Sequence, residues 1–144
     1  MPDDIGVVAR LFAQEVPEIA AGTVAIRAIA RKPGIRSKLA VTSQDPRVDC
    51  VGAFVGVRGS RIKNVIDALD AERVDLIRWT DNPEELIANA LQPAVIERIV
   101  LCPVEHRAVV VVQPDQVSLV LRRRDENRQL ASELTGWQIE VDEL

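Results

Sequence analysis

Apolar residues first recur at helical spacing in Val8, Leu11, Phe12 and Val16, and Pro17 ends that run. The period then falls to two. Thr23–Arg31 alternates with Val24, Ile26, Ala28 and Ala30 on one face, Lys32-Pro33-Gly34 marks a turn, and Lys38–Thr42 reads as a second strand. Val48, Val51, Gly52 and Val55 restore the helical spacing over a short stretch that Gly56-Val57-Arg58-Gly59 interrupts. Ser60 is placed to cap a further helix whose apolar face is Ile62, Val65, Ile66 and Leu69. Val74, Leu76 and Ile77 form a third strand ending at Trp79.

The same order then returns. Asp81 and Asn82 can cap a helix with Pro83 at its first position, Glu84 and Glu85 in its first turn, and Ile87, Ala90 and Leu91 on its apolar side. Val95–Cys102 and Arg107–Gln113 read as strands around a turn containing Pro103. Val117, Val120 and Leu121 mark one short helix, and Leu130, Ala131 and Leu134 mark another. Gly136 can terminate the latter before a last strand, Trp137–Val141. The pattern predicts two copies of one α+β unit, residues 1–80 and 81–144.

Charge changes this picture, because it is unevenly shared. The 144 residues carry a net charge of −4, which excludes a uniformly basic coat for nucleic acid. Residues 1–63 nevertheless hold ten Lys/Arg against six Asp/Glu, while the remainder holds eight against sixteen. A polyanionic partner is therefore expected on the first half. Aromatic residues make up only 3% of the chain and Tyr is missing, which disfavours recognition by exposed stacking platforms.

Other chemistry is poorly supplied. Cys50 and Cys102 are isolated and read as buried thiols of a reducing cytosol. His106 is the sole histidine, which leaves no metal cluster of ordinary spacing, and a Ser–His–Asp triad would have to use it. It falls between Glu105 and Arg107 in a turn and reads as a solvated residue. Neither a GxxxxGK[ST] nor a GxGxxG phosphate loop is present. The expectation is a binding protein without enzymatic activity, cofactor or small-molecule substrate. The longest apolar run, Ala108–Val112, is too short to span a bilayer, and the acidic start at Asp3 and Asp4 differs from a signal peptide. The expected setting is cytoplasmic, away from membranes.

The motif with the clearest chemistry is Gly56-Val57-Arg58-Gly59. Glycines let the chain turn tightly and let a ligand approach the main chain. The helix that follows offers free N–H groups and the positive end of its dipole. Arg58, Arg61 and Lys63 add positive charge, and no acid occurs between residues 50 and 66. A GxxG loop of this kind clamps the backbone of about four nucleotides in KH modules, with the bases in a neighbouring apolar groove. Val55 and Ile62 are candidates for that groove.

These residues belong to a wider resemblance. Leu11–Ile19, Val51–Ile62, Asp75–Trp79 with Asn82-Pro83, Leu86–Ala94 and Leu134–Ile139 together resemble the tandem KH region of the bacterial NusA family of transcription factors. The resemblance implies two tandem type II KH modules, each a three-stranded mixed sheet with helices on one face. It also implies single-stranded RNA as ligand and a part in transcription elongation, pausing, termination or antitermination, with RNA polymerase and other transcription factors as partners. The residues expected to carry RNA binding are Gly56, Val57, Arg58, Gly59, Ser60, Arg61 and Lys63.

Two departures qualify it. The family's usual N-terminal polymerase-binding and OB-fold domains do not fit before Leu11, so the chain reads as either a fragment or a short stand-alone relative. Moreover, aligning Val51 with Val117 sets Gly56–Gly59 on Arg122-Arg123-Arg124-Asp125 and Ile62 on Arg128. Both glycines are lost, and Asp125 is expected to repel phosphate. Arg122, Arg123 and Arg124 read as an exposed helix end or, alternatively, as secondary contacts to RNA phosphates. Loss of the second loop also leaves open a protein-interaction module, derived from the KH pair, that docks on the transcription machinery.

Overall fold

A computed structural model describes residues 4–122 and 125–144. The chain divides into two compact units between Trp79 and Thr80. The first unit runs α1 (Asp4–Glu15), α2 (Pro17–Ala20), β1 (Val24–Lys32), β2 (Arg36–Ser43), α3 (Cys50–Val55), α4 (Ser60–Ala68) and β3 (Arg73–Arg78). Pro17 ends α1 but also opens α2, where its missing N–H costs nothing and its fixed φ suits the first helical position.

β2 is the middle strand of a three-stranded sheet, antiparallel to β1 and parallel to β3. The antiparallel pair needs only the tight turn around Gly34. The parallel pair needs a crossover, and α3 and α4 provide it. Their apolar faces close with α1 over one side of the sheet. Val8, Phe12, Phe54, Val65, Leu39 and Val41 are the heart of that core, with Phe12 and Phe54 in tilted contact at 5.4 Å between ring centres.

The alternation expected of β1 breaks at a bulge. The register with β2 shifts between Ile26 and Ala28, so Arg27 is the extra residue. Val24, Ile26 and Ile29 consequently face the core, opposite Leu39 and Val41, while Ala28 and Ala30 turn to the other side. The strand ladder also runs past Arg78, since the Trp79 N–H donates to the Val41 carbonyl at 2.8 Å. At the head of β3, the buried carboxylate of Glu72 accepts from Arg31 Nη2 (2.9 Å), Ser37 Oγ (2.6 Å) and Gly34 N (2.9 Å). It thus ties both strands of the hairpin, at its turn, to the third strand.

The second unit repeats the order with α5 (Pro83–Leu91), β4 (Arg98–Cys102), β5 (Arg107–Val112), α6 (Val117–Leu121), α7 (Glu126–Thr135) and β6 (Gln138–Glu143). Its sheet is again mixed, with β4–β5 antiparallel and β5–β6 parallel. Asn82 caps α5 by accepting from the Glu85 N–H at 3.1 Å. β4 starts three residues later than its apolar pattern predicts, because the Val95 N–H turns away to the Gln116 side chain. His106 is exposed, as expected of a turn residue, yet it is anchored. Its ring stacks on Trp137 at 4.1 Å, and Nδ1 lies 2.7 Å from the Gly136 carbonyl oxygen. Cys50 is buried, whereas Cys102 is only half-buried, and both are free thiols. No helix among the described residues is long and apolar enough to cross a membrane.

Candidate nucleic-acid interface

The first loop links α3 to α4 through backbone that side chains rarely adopt. Gly56 has φ 79° and ψ 174°, Arg58 has φ 56° and ψ 29°, and Gly59 has φ 73° and ψ 17°. Gly56 N donates to the Gly52 carbonyl at 2.9 Å, and Gly59 N donates back to Gly56 at 3.1 Å, which closes the turn. Ser60 is the first helical residue of α4 and not its cap. That position belongs to Gly59, and no side chain caps the helix. The first turn of α4 therefore meets the loop without the hydroxyl expected to screen it.

The two glycines are required for different reasons. A Cβ on Gly56 would lie 2.6 Å from Arg61 Cγ and 2.9 Å from the Arg61 backbone nitrogen. At Gly59 the nearest atom would be Ile62 Cγ2, at 4.0 Å, so only the left-handed φ calls for glycine there.

The expected phosphate ligands differ in their freedom. Arg58 is exposed at the tip and makes no hydrogen bond or ion pair among the described residues. Val57 beside it is 80% exposed. Lys63 also lies in solvent and pairs loosely with Asp67, one turn along α4, at 3.2 Å. Arg61 faces inward. Its Nη1 donates to Glu18 Oε1 (3.0 Å) and to the Ala53 carbonyl (2.6 Å). A cleft of about 350 Å³ lies between Glu18, Gly52, Ala53 and the loop. Val55 and Ile62, expected at a groove, are half-buried and do not line this cleft, and Ile62 packs on the core.

The second loop, between α6 and α7, matches the first at some described positions and differs in chemistry. Arg122 has φ 29°, and its N–H donates to Ser118 four residues back, as that of Gly56 does to Gly52. Asp125 has φ 71° and ψ 12°, matching Gly59 within a few degrees. Arg123 and Arg124 lie outside the described residues. Asp125 does not stand as a bare negative charge. Both its oxygens accept from the Arg128 guanidinium, Oδ1 at 2.7 Å from Nε. Those bonds raise the Arg128 pKa above its ordinary value against the opposing effect of burial, and the nearby charges of Asp125 and Glu140 act in the same direction.

Arg128 also donates from Nη1 to the Ile139 carbonyl at 2.9 Å, while the Ile139 N–H is taken by Ser132 Oγ at 3.1 Å. Side chains of α7 thus occupy the main chain of β6 at this point. Ile62, in the corresponding position of the first unit, has no polar group with which to do so. The groove that Arg128 lines, of about 570 Å³, is also lined by Val117, Leu121, Ile139 and Val141 and by the acidic Asp142 and Glu143. The sequence alignment of the two loops gives no hint of the Arg128 bridge, for which the i, i+3 spacing of Asp125 and Arg128 is the one available signal.

Comparison with known proteins agrees with this geometry. Residues 3–79 match the NusA-like first KH domain and residues 83–144 match the NusA-like second KH domain. The transcription termination/antitermination protein NusA of Thermus thermophilus is 50% identical over 133 residues, covering 92% of this chain and 34% of that protein. Its counterpart in Halalkalibacterium halodurans is 42% identical over 136 residues, covering 94% of this chain and 36% of that protein. The chain thus spans about a third of the length of these relatives. The crystal structure of APE1850 shares the fold, with a TM-score of 0.68 and 18% identity over 94% of this chain and 95% of that one. With its two mixed-sheet units, its glycine loop and these matches along nearly its whole length, the chain belongs to the NusA-like tandem KH family.

Proposed function

We propose that the chain binds single-stranded RNA through Gly56–Gly59 and the first turn of α4, within a protein of NusA type that acts in transcription elongation, pausing, termination or antitermination. It works by binding and not by catalysis, in the cytoplasm, alongside RNA polymerase and other transcription factors. The observation that carries this reading is the pairing of a glycine loop with an uncapped helix start and a solvent-facing Arg58. The loop lets a sugar-phosphate backbone approach the main chain, and Arg58 and Lys63 supply charge where it arrives. The second module lends itself less to this task, since Arg122 and Asp125 replace both glycines and Arg128 fills the strand edge.

The test is a binding titration with single-stranded RNA at several salt concentrations, comparing the natural chain with Gly56→Asp/Gly59→Asp. The double substitution should reduce affinity at least tenfold, because two carboxylates would stand where phosphate approaches. Equal affinities would sink this assignment of the site.

A further inference from the structure

Arg61 carries a charge in the loop, but its geometry is that of a tie. Nη1 reaches both oxygens of Glu18 on α2, at 3.0 and 3.2 Å, and the Ala53 carbonyl in the last turn of α3, at 2.6 Å. Meanwhile its stem lies across Gly56, where an added Cβ would be 2.6 Å from Cγ. One side chain therefore joins α2, the end of α3 and the start of α4 around the first glycine of the loop.

The second unit contains the same tie in other atoms. Residues correspond at a spacing of 66, which places Ala53 on Leu119, Gly56 on Arg122 and Arg61 on Asn127. Asn127 is buried, and its Nδ2 donates to the Leu119 carbonyl at 3.0 Å and to the Leu91 carbonyl, at the end of α5, at 3.3 Å. A donor at this position again joins the preceding helix to the helix before the loop. It does so in the unit whose loop has no glycines, so the tie serves loop shape and does not depend on a ligand. Asparagine is also short enough to leave position 122 clear, and a side chain is accommodated there. Arginine lies across position 56, and there glycine is needed.

We propose that Glu18 and Arg61 are positioning residues, which hold Gly56–Gly59 in its RNA-receiving shape and do not contact phosphate. The inference rests on the RNA-binding reading above. It makes an expectation opposite to simple electrostatics. Removing the negative charge of Glu18 beside a polyanion site should tighten binding if charge alone counted. If Glu18 holds the loop through Arg61, Glu18→Gln should instead weaken binding by roughly tenfold, the scale of one charged hydrogen bond.

The experiment measures affinity for single-stranded RNA against salt for the natural chain, Glu18→Gln, Arg61→Gln and Arg58→Gln. A true phosphate contact contributes about 0.7 to the slope of log affinity on log salt for a single strand. Arg58→Gln should lose that much, whereas Glu18→Gln and Arg61→Gln should bind more weakly with the slope unchanged. Tighter or equal binding by Glu18→Gln, or a slope loss in Arg61→Gln, overturns the proposal. Failure of the natural chain to bind RNA would instead refute the proposed function. Amide hydrogen exchange then decides the positioning claim without RNA. In Glu18→Gln the Gly56 and Gly59 amides should exchange faster while those of Leu39 and Val41 in β2 stay protected. Unchanged loop exchange, or faster exchange throughout the sheet, overturns it.

Discussion

Gly56 and Gly59 share a positive φ but differ in what surrounds them. An alanine at Gly59 meets the left-handed penalty of about 1–2 kcal/mol, and at Gly56, with ψ 174°, it enters a region essentially confined to glycine. At Gly56 it also meets the stem and backbone of Arg61 at 2.6–2.9 Å. At Gly59 it meets nothing closer than 4.0 Å. Gly56→Ala should accordingly lower the thermal unfolding midpoint more than Gly59→Ala does, and the reverse order would contradict the packing described. At this scale the glycines were legible in the sequence, because few other residues suit such a turn. Asp70 and Ala71 were not. They carry φ 54° and 69° at the end of α4, where glycine is the usual choice, and neither residue type announces that conformation.

Among the elements, periodicity exposed the helices and strands because one face of each meets a core. It failed at the β1 bulge. Arg27 fits an alternating pattern read straight through, and only the register with β2 reveals it as an insertion. It was silent also about Glu72, which lies between α4 and β3. Its role depends on donors from Arg31, Gly34 and Ser37, between 35 and 41 residues away. Burial tends to raise the Glu72 pKa, but the bonds from Arg31, Ser37 and Gly34 outweigh it and hold the carboxyl below its ordinary 4.5. A lowered folded-state pKa gives stability that is fully present above the ordinary value and is lost as pH falls through the folded one. Glu72→Gln should therefore cost about 3 kcal/mol near neutrality. The deficit relative to the natural chain should shrink steadily below pH 4.5. Denaturant titrations at pH 7 and in acid measure both quantities, and a deficit that grows in acid would contradict the sign.

For the whole molecule, charge asymmetry pointed to the unit that carries the glycine loop, though its size depended on where the line was drawn. Divided at Trp79, the first unit holds twelve basic and ten acidic residues, and the second holds six and twelve. The contrast is smaller than a division at residue 63 implies. Much of the basic excess is also internal, since Arg31 pairs with Glu72, and Arg36 and Lys38 pair with Asp75. What the sequence could not display is which cations remain available to a ligand, because that depends on partners brought in from other strands. Arg58 is such a cation. Arg61, which reads the same way along the chain, is engaged by Glu18 and the Ala53 carbonyl.

The two loops, finally, share a left-handed last residue, Gly59 in one and Asp125 in the other, and differ in contents. On the proposed function the glycines of the first loop admit a sugar-phosphate backbone, whereas Arg122, Asp125 and Arg128 oppose one at the second. The consequence is a matter of stoichiometry. A short single-stranded RNA of about four nucleotides, the length one such loop grips, should saturate the chain at one equivalent. Arg122→Gly/Asp125→Gly/Arg128→Val, which removes the lock and clears the strand edge, should move that value towards two. Saturation of the natural chain at two equivalents would show that a path kept open by an arginine and an aspartate is still a working one. Saturation at one would make the second loop a shape that has outlived its occupant.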